Sequence, residues 1–235
     1  MILDKILFYS VLAGISTSVG AILLFIKKDF TYKSLAIFLG LASGVMVAVV
    51  LFDMLPSALI TNYKKAILGF VIGVIILLII DKLIFKYQET DSLISLGYLI
   101  MLAIAMHDLP EGMAIALGDE LKGRTGMVIA LGIGIHNIPE GMAIAAPLIM
   151  AGVSRFKIFR QTLLIGLITP LGTVLGKYAV KIVPGFLPLL LGLASGIMVY
   201  LVLFQLWPEA KIKGKKSRWI GFYLGICIIF LATFL

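Results

Sequence analysis

An internal repeat constrains the fold of this chain more than any other feature of its sequence. Residues 41–58 read LASGVMVAVVLFDMLPSA and residues 193–210 read LASGIMVYLVLFQLWPEA, with 11 of 18 positions identical at a constant offset of 152. The same offset aligns Gly14 with Gly166 and Gly69 with Gly221. Chance similarity between apolar segments would not keep one register over this length. We therefore expect residues 1–84 and 158–235 to be two copies of one structural unit.

Long apolar runs indicate what each unit contains. Only 14% of the residues are charged, whereas soluble domains have roughly 25%. Backbone groups in lipid must pair within their own segment, and the alternating pattern of a β-barrel is absent. The sequence therefore predicts an all-α membrane protein, with residues 1–235 as a single transmembrane domain. The net charge of +8 lies in the loops between the runs and does not indicate nucleic-acid binding. The predicted spans are 6–26, 35–60, 66–84, 94–117, 126–150, 158–177, 184–208 and 218–235.

The order of these eight spans relates the two units to each other. Five spans separate the start of one unit from the start of the other, so the units enter the bilayer from opposite sides. This predicts a 3+2+3 inverted-repeat arrangement, in which spans 4 and 5, at 94–150, lie between the units. Loops after odd-numbered spans, with the span ends beside them, hold 13 Lys and Arg residues, and the remaining loops and span ends with the N-terminus hold 7. Cytoplasmic loops are the more basic, so both termini are predicted to lie outside the cytoplasm in the cell membrane.

Spans 4 and 5 each contain one copy of a polar motif. Residues 107–116 read HDLPEGMAIA and residues 136–145 read HNIPEGMAIA, and these segments contain the only two histidines of the chain. Positions i and i+4 share a helix face, so His107 lies beside Glu111 and His136 beside Glu140. Ionisable side chains within a membrane indicate a functional site. If the two helices pack together, both imidazoles and both carboxylates converge near the bilayer midplane.

The residue types of these motifs indicate a metal site. Mixed imidazole and carboxylate ligands favour divalent zinc, iron, manganese or cobalt, whereas Ca²⁺ and Mg²⁺ favour oxygen ligands alone. Asp108 and Asn137 are either further ligands or partners that orient the ligands. Met46 and Met198 are mates in the repeat and could be thioether contacts or core residues.

Two more polar positions lie within the spans. Asp53 is expected at the outer mouth of the ion path. Its repeat mate Gln205 is expected on the inner path.

The doubled motif resembles that of the ZIP (Zrt-, Irt-like) metal transporters, and especially their compact prokaryotic branch, which carries H-N-x-P-E-G or a close variant on both spans. The resemblance covers the whole chain. It implies a secondary transporter that imports zinc and other divalent metals by a rocking or elevator-like motion, often as a homodimer. Carried over residue by residue, it implies metal ligation by His107, Glu111, His136 and Glu140. It also implies that Asp108 and Asn137 serve an adjacent second metal and that Met46 lies near the site.

Span 6 departs from the family pattern. Several relatives have a glutamate before the proline of this span, and this chain has Thr169 before Pro170. We therefore expect one tightly bound metal per chain.

The leading hypothesis is import of a divalent metal into the cytoplasm, with zinc as the main ion and iron, manganese, cobalt and cadmium as further ones. A membrane-embedded metalloenzyme, such as a hydrolase, is the alternative from another class. An enzyme is not expected, because a hydrolase needs an open metal position with a placed base and the H-E-x-x-H motif is absent. A metal exporter is the third possibility, since the sequence does not fix the direction of transport.

Two G-x-x-x-G pairs could bring helices close together. Gly69 and Gly73 lie in span 3, and Gly221 and Gly225 lie in span 8. Such pairs allow close contact between membrane helices. They predict either a homodimer through spans 3 and 8 or packing within one chain.

Overall fold

A computed structural model describes residues 2–85, 93–121, 123–182 and 185–234. Every regular element in these ranges is helical, which confirms the prediction of an all-α protein. Six helical stretches are long and apolar enough to cross a membrane. The α-helices are α1 (Ile2–Phe25), α2 (Tyr32–Val49), α3 (Leu55–Ile80), α4 (Leu93–Leu121), α5 (Gly123–Met150), α6 (Arg155–Gly166), α7 (Ile168–Ile182), α8 (Leu187–Leu201), α9 (Trp207–Lys213) and α10 (Ser217–Phe234).

Three π-helical turns interrupt these helices, at Val50–Met54, Asp81–Phe85 and Val202–Leu206. The first and third occupy matching positions at the repeat offset of 152. Each is followed by a proline in the first turn of the next helix. Leu55 donates its backbone N–H to the carbonyl of Val50, and Trp207 donates to that of Val202. The repeat seen in the sequence therefore extends to the hydrogen bonding of the backbone.

The helices divide differently from the predicted spans. Residues Tyr32–Leu83 form one helical stretch of 52 residues, broken by the non-helical backbone of Asn62 (φ −159°, ψ 96°). The Asn62 side chain accepts a hydrogen bond from the backbone N–H of Lys65 at 3.1 Å and so caps the helix that follows. This break falls in the interval predicted to separate spans 2 and 3. Predicted span 6 corresponds to α6 and α7 together, because Pro170 has no N–H to bond back to Gly166.

The helices form two groups with extensive internal contact. In the first, α4 packs on α5 and α7, and α1 packs on α5 and α6. We call α1, α4, α5, α6 and α7 the motif bundle, since it contains both polar motifs. In the second group, α3 packs on α8 and α2 packs on α10. We call α2, α3, α8, α9 and α10 the scaffold bundle.

Glycines set the close packing inside each bundle. In the motif bundle, a Cβ on Gly112 of α4 would overlap the carbonyl oxygen of Thr169 in α7. A Cβ on Gly141 of α5 would overlap that of Thr17 in α1. Among the described glycines, every such overlap with another helix's carbonyl involves helices of the same bundle. Each bundle is therefore packed backbone to backbone, while the two bundles meet through side chains.

The G-x-x-x-G pairs belong to this internal packing. Gly69 and Gly73 face the carbonyls of Leu189 and Leu193 in α8, and Gly221 and Gly225 face those of Ile37 and Leu41 in α2. These glycines are covered within the chain, so the interpretation of the pairs as contacts to a second copy is wrong. Packing within one chain, the other possibility, accounts for them.

Candidate metal site

Helices α4 and α5 pack so that each motif faces the other. Nε2 of His107 lies 3.3 Å from Oε2 of Glu140, and Nε2 of His136 lies 3.2 Å from Oε2 of Glu111. The histidine of each motif thus pairs with the glutamate of the other, instead of with the glutamate one turn along its own helix. The shared helix face predicted from the spacing is what makes this exchange possible, because both members of each motif point toward the neighbouring helix.

The ring of His107 is held in one orientation. Its Nδ1 lies 3.0 Å from the carbonyl oxygen of Ala103, one turn earlier in α4. A carbonyl only accepts hydrogen bonds, so Nδ1 is the nitrogen that donates. In the neutral ring, Nε2 then carries the lone pair and faces Glu140. This is the tautomer that a metal-binding histidine needs, with its other nitrogen fixed by a backbone acceptor.

Asp108 joins this half of the site. Its Oδ1 lies 3.7 Å from Nε2 of His107. One ligand atom each from His107, Asp108 and Glu140 lies within 4.8 Å of the others, and all three side chains are fully buried. Two carboxylates and one imidazole in such a group can hold a divalent metal ion.

The buried oxygens of the site lack hydrogen-bond donors. Within the described part of the chain, both oxygens of Asp108 have no partner, and neither do Oε1 of Glu111, Oε1 of Glu140 and Oδ1 of Asn137. Each of these side chains is at most 1% exposed. Buried acceptors without donors are strongly unfavourable. A cation is the partner that unpaired buried oxygens of this kind accept, so the donor set fits a metal ion.

Asn137 differs from Asp108 in how it is held. The amide Nδ2 of Asn137 donates to the carbonyl of Ala13 in α1 at 3.0 Å, which turns its Oδ1 away from α1. Asp108 occupies the matching position of the other motif, but a carboxylate cannot make this amide bond. Its two oxygens remain free for the His107 and Glu140 side of the site. The two halves of the site are therefore alike in backbone and different in ligand chemistry.

Thr169 lies against the α4 motif. It is fully buried, its carbonyl packs on Gly112, and its hydroxyl has no partner among the described residues. The hydroxyl of Thr173 donates to the carbonyls of both Gly112 and Thr169, at 3.0 and 3.2 Å. Thr17 is the repeat mate of Thr169 and packs on Gly141 in the same way, also with an unpaired hydroxyl. The repeat offset of 152 pairs these two threonines in the sequence, which is the signal that could have pointed to Thr17.

The two methionines lie in apolar surroundings. Met46 is buried in a cluster that includes Ala103 and Ile104, and Met198 in one that includes Val45 and Val49. The structure therefore places both methionines in the apolar core.

Asp53 and His136 line one cavity. Asp53 is exposed in the π-helical turn Val50–Met54, and the cavity of about 350 Å³ has His136 in its wall. The other walls come from the first turns of α5 and the last turns of α10, including Val128, Leu131 and Thr233. The cavity thus joins Asp53 to the motif on α5. Gln205 is half-buried in the matching turn Val202–Leu206.

Comparison with known proteins identifies the family of this chain. A family model described as ZIP zinc transporter matches residues 86–233. Zinc transporter ZupT of Chlorobaculum parvum is 32% identical over 265 residues, which cover 99% of this chain and 98% of that protein. ZupT of Streptococcus mutans is 32% identical over 252 residues, covering 95% of this chain and 94% of that protein. Zinc transporter ZTP29 of Arabidopsis thaliana is 34% identical over 246 residues, which cover 92% of this chain and 89% of that protein.

The family model spans more than half of the chain, and these relatives align along almost all of it. With the apolar helices, the match identifies an integral membrane protein of a metal-ion transporter family and not an enzyme, as the sequence predicted. The chain belongs to the ZIP zinc transporter family.

Proposed function

We propose that this protein imports divalent transition-metal ions into the cytoplasm by alternating access. Zinc is the main cargo, and iron, manganese, cobalt and cadmium are further candidates. The observation that carries the proposal is the pair of buried cross-helix contacts, His107 with Glu140 and His136 with Glu111. His136 also lines the cavity that contains Asp53. The names of the relatives, all zinc transporters, support zinc as the cargo.

The ligands of the transported ion are His107, Glu111, His136 and Glu140. Asp108 and Asn137 contribute oxygens beside them. Neutral imidazole nitrogen and carboxylate oxygen together suit zinc. Thr169 brings a hydroxyl where a second carboxylate would be needed to hold another ion tightly. We therefore assign one tightly bound ion to each chain.

The architecture proposed for this function has eight spans in a 3+2+3 inverted repeat. The break at Asn62 supports the division of the stretch Tyr32–Leu83 into two spans, and the matching π-helical turns support the repeat. With both termini outside the cytoplasm, the start of α5 and the end of α10 lie on the outer side. The cavity at His136 then opens to the outside, and Asp53 attracts cations at its mouth.

The division into two bundles supports a mechanism for alternating access. All six proposed ligands lie in the motif bundle, whereas Asp53 and Gln205 lie in the scaffold bundle. Contacts between the bundles run mainly from α4 to α8 and from α2 to α5, and they involve side chains instead of close-packed glycines. The motif bundle can therefore move as one body along the scaffold bundle and expose the ligands first to one side and then to the other.

Homodimer formation belongs to the same proposal. Since the glycines of α3 and α10 are covered, a second copy would contact the outward faces of these helices. Exposed side chains such as Val71 and Ile75 of α3 and Leu224 of α10 lie on these faces. Native mass measurement in detergent separates a dimer from a monomer.

Uptake by proteoliposomes tests the transport function. Purified protein is reconstituted and offered zinc, iron, manganese, cobalt and cadmium separately, with the gradient imposed in each direction. Glu111→Ala and Glu140→Ala should leave folded protein with uptake near that of empty vesicles, because each removes a carboxylate that faces the opposite histidine. Glu209→Ala is the matched control, because Glu209 is partly exposed and pairs with Lys213 at 3.8 Å, away from the two motifs. Near-normal uptake in either site variant removes that residue from the proposed site.

A further inference from the structure

The guanidinium of Arg218, in the first turn of α10, is buried without enough hydrogen-bond acceptors. Arg218 is 7% exposed, and within the described part of the chain its Nε and Nη1 have no partner. Its central carbon lies 4.2 Å from the ring centroid of Trp207 and 5.4 Å from that of Trp219. Aromatic rings attract the positive charge, but the N–H groups still need acceptors in the plane of the guanidinium. A buried charge with unpaired donors is unfavourable, so this side chain calls for a further partner.

The repeat shows that the backbone packing does not require an arginine here. The mate of Arg218 at the offset of 152 is Ala66. A Cβ on Gly40 of α2 would overlap the carbonyl oxygen of Arg218, and a Cβ on Gly192 of α8 would overlap that of Ala66. Gly40 and Gly192 are also mates, so the same contact between helices occurs in both halves. Because Ala66 makes it with a methyl group alone, the long charged side chain of Arg218 has another role.

The aromatic partners of Arg218 are confined to the same half. The mates of Trp207 and Trp219 are Leu55 and Ile67. One end of the scaffold bundle therefore has a cation and two indole rings where the matching positions have only aliphatic side chains. Apolar residues are sufficient for packing at those matching positions, so the three changes together indicate a binding site.

The charge around Arg218 determines which ligand fits. The segment that joins α9 to α10 contains Lys211, Lys213, Lys215 and Lys216. The carboxylate of Glu209 lies 3.8 Å from Nζ of Lys213 and is thus already paired. Unpaired guanidinium donors among excess positive charges fit an anion. A phosphate is well suited, because two of its oxygens can accept parallel N–H bonds from one arginine.

The surface beside Arg218 is apolar as well as basic. Trp219 and Tyr223 stack with 5.6 Å between their ring centroids, and they are 40% and 59% exposed. Ile212, between two lysines, is 72% exposed. Exposed Trp and Tyr side chains of membrane proteins lie at the level of the lipid headgroups. Because Trp219 faces this surface, its ring can turn aside and admit a phosphate to Arg218. A phospholipid, which has both a phosphate and apolar chains, fits this surface better than a free phosphate ion.

We propose that Arg218 binds the phosphate of an anionic phospholipid beside the rings of Trp207 and Trp219. The neighbouring lysines favour an anionic lipid over a zwitterionic one. With the orientation proposed above, this segment faces the cytoplasmic leaflet, whose anionic lipids attract basic residues. The bound lipid holds the junction of α9 and α10, and with it the scaffold bundle, at the membrane surface. Lipid binding at this place does not depend on the transport of metal.

Tryptophan fluorescence tests the proposal at the site itself, because Trp207 and Trp219 are the only two tryptophans of the chain. Purified protein in an uncharged detergent is titrated with phosphatidylglycerol that is brominated on its acyl chains and quenches nearby tryptophan. Quenching should saturate at a low mole fraction of this lipid, whereas brominated phosphatidylcholine should require severalfold more. Arg218→Ala should shift the phosphatidylglycerol curve by roughly tenfold or more, the effect of losing hydrogen bonds between charged groups.

The alanine variant is expected to fold, since Ala66 occupies the matching position in the other half, and its melting temperature in detergent checks this. Arg218→Lys keeps the charge but cannot form the paired bonds of a guanidinium. It should also weaken binding, so the test holds if Arg218→Ala folds poorly. Arg160→Ala is the matched control, because Arg160 is exposed on α6. It removes the same charge away from both tryptophans, so the quenching curve should stay the same.

Three results would overturn the proposal. They are unchanged quenching by phosphatidylglycerol in the folded Arg218 variants, equal quenching by the two lipids, and an equal shift in Arg160→Ala. Excess inorganic phosphate, added at constant ionic strength, separates a lipid from a free anion. It should leave the quenching unchanged, and relief of quenching would assign the site to free phosphate instead. Zinc uptake plays no part in these titrations, so their outcome is distinct from that of the proposed transport function.

Discussion

The substitution Gly141→Ala should force α1 and α5 apart and disable the site. The new Cβ would overlap the carbonyl oxygen of Thr17 and lie 2.8 Å from its carbonyl carbon and 3.2 Å from the backbone nitrogen of Ala21. Ordinary contacts begin near 3.4 Å, so the carbonyl carbon alone requires the helices to separate by about 0.6 Å. The clash is with backbone, so no side chain can rotate away to relieve it.

Two effects determine how much stability and zinc uptake the Gly141→Ala variant loses. Overpacking of this kind destabilises by roughly 1–3 kcal/mol, and the better helix propensity of alanine offsets up to about 1 kcal/mol. The same separation stretches the bond from Asn137 to the carbonyl of Ala13, now 3.0 Å long. Ligands must be held to within about 0.5 Å, and a displacement near 1 Å can lower the rate of an active site by about 100-fold. We therefore expect a lower melting temperature and uptake reduced by roughly 10- to 100-fold.

Gly134→Ala on the same helix is the control. Its Cβ would make ordinary contacts, 3.4 Å to Oγ of Ser16 and 3.5 Å to Cα of Ala13. Thermal unfolding in detergent and zinc uptake in proteoliposomes are measured for both variants. Gly134→Ala should match the unmodified protein or melt slightly higher. Equal melting temperatures and equal uptake in the two variants would refute the claim that Gly141 sets the distance between α1 and α5.

Three further predictions follow from the same structure. Asp53→Asn should raise KM for zinc with little change in the maximal rate, because Asp53 lines the cavity but lies outside the cross-helix pairs; a change confined to the maximal rate would contradict this. Protons compete with the metal ion for the nitrogens of His107 and His136, because a protonated ring has no lone pair free to bind a metal, and this competition grows as the pH falls from about 7 to about 5. Calorimetric titration should therefore show one tight zinc ion whose affinity falls steeply over this range, and less steeply in His107→Gln. A flat profile would argue against histidine ligation. Gly73→Leu combined with Gly225→Leu should lower the yield of folded protein, because both face backbone within the chain; a folded monomer released from a dimer would contradict this.

The repeat and the two motifs predicted those parts of the structure that follow from residue spacing along the chain. The i and i+4 positions of His107 and Glu111 fixed a common helix face, and the offset of 152 located matching backbone features. The pairing of each histidine with the glutamate of the other motif could not be predicted from the sequence, because it depends on how α4 is rotated and shifted along its axis relative to α5. The π-helical turns were missed for a related reason. A proline in the first turn of a helix is compatible with several hydrogen-bond patterns upstream, and tertiary packing selects one.

The two halves of the molecule share a backbone frame and differ in their polar side chains. The glycine contacts are reproduced on both sides, Gly112 on Thr169 and Gly141 on Thr17, so the backbone frame is close to symmetric. Among the residues that break the symmetry are three pairs of polar side chains. They are the mate pairs Asp108 and Asn137, Asp53 and Gln205, and Asp81 and Thr233.

The two sides of the molecule hold their carboxylates differently. Asp53 is exposed in the π-helical turn that follows α2, whereas Asp81 accepts a hydrogen bond of 2.7 Å from Tyr200. Every step of alternating access is reversible, so the gradient across the membrane sets the direction of net transport. The asymmetry of the polar residues therefore bears on how readily an ion binds from each side, and it does not by itself set which way the metal moves.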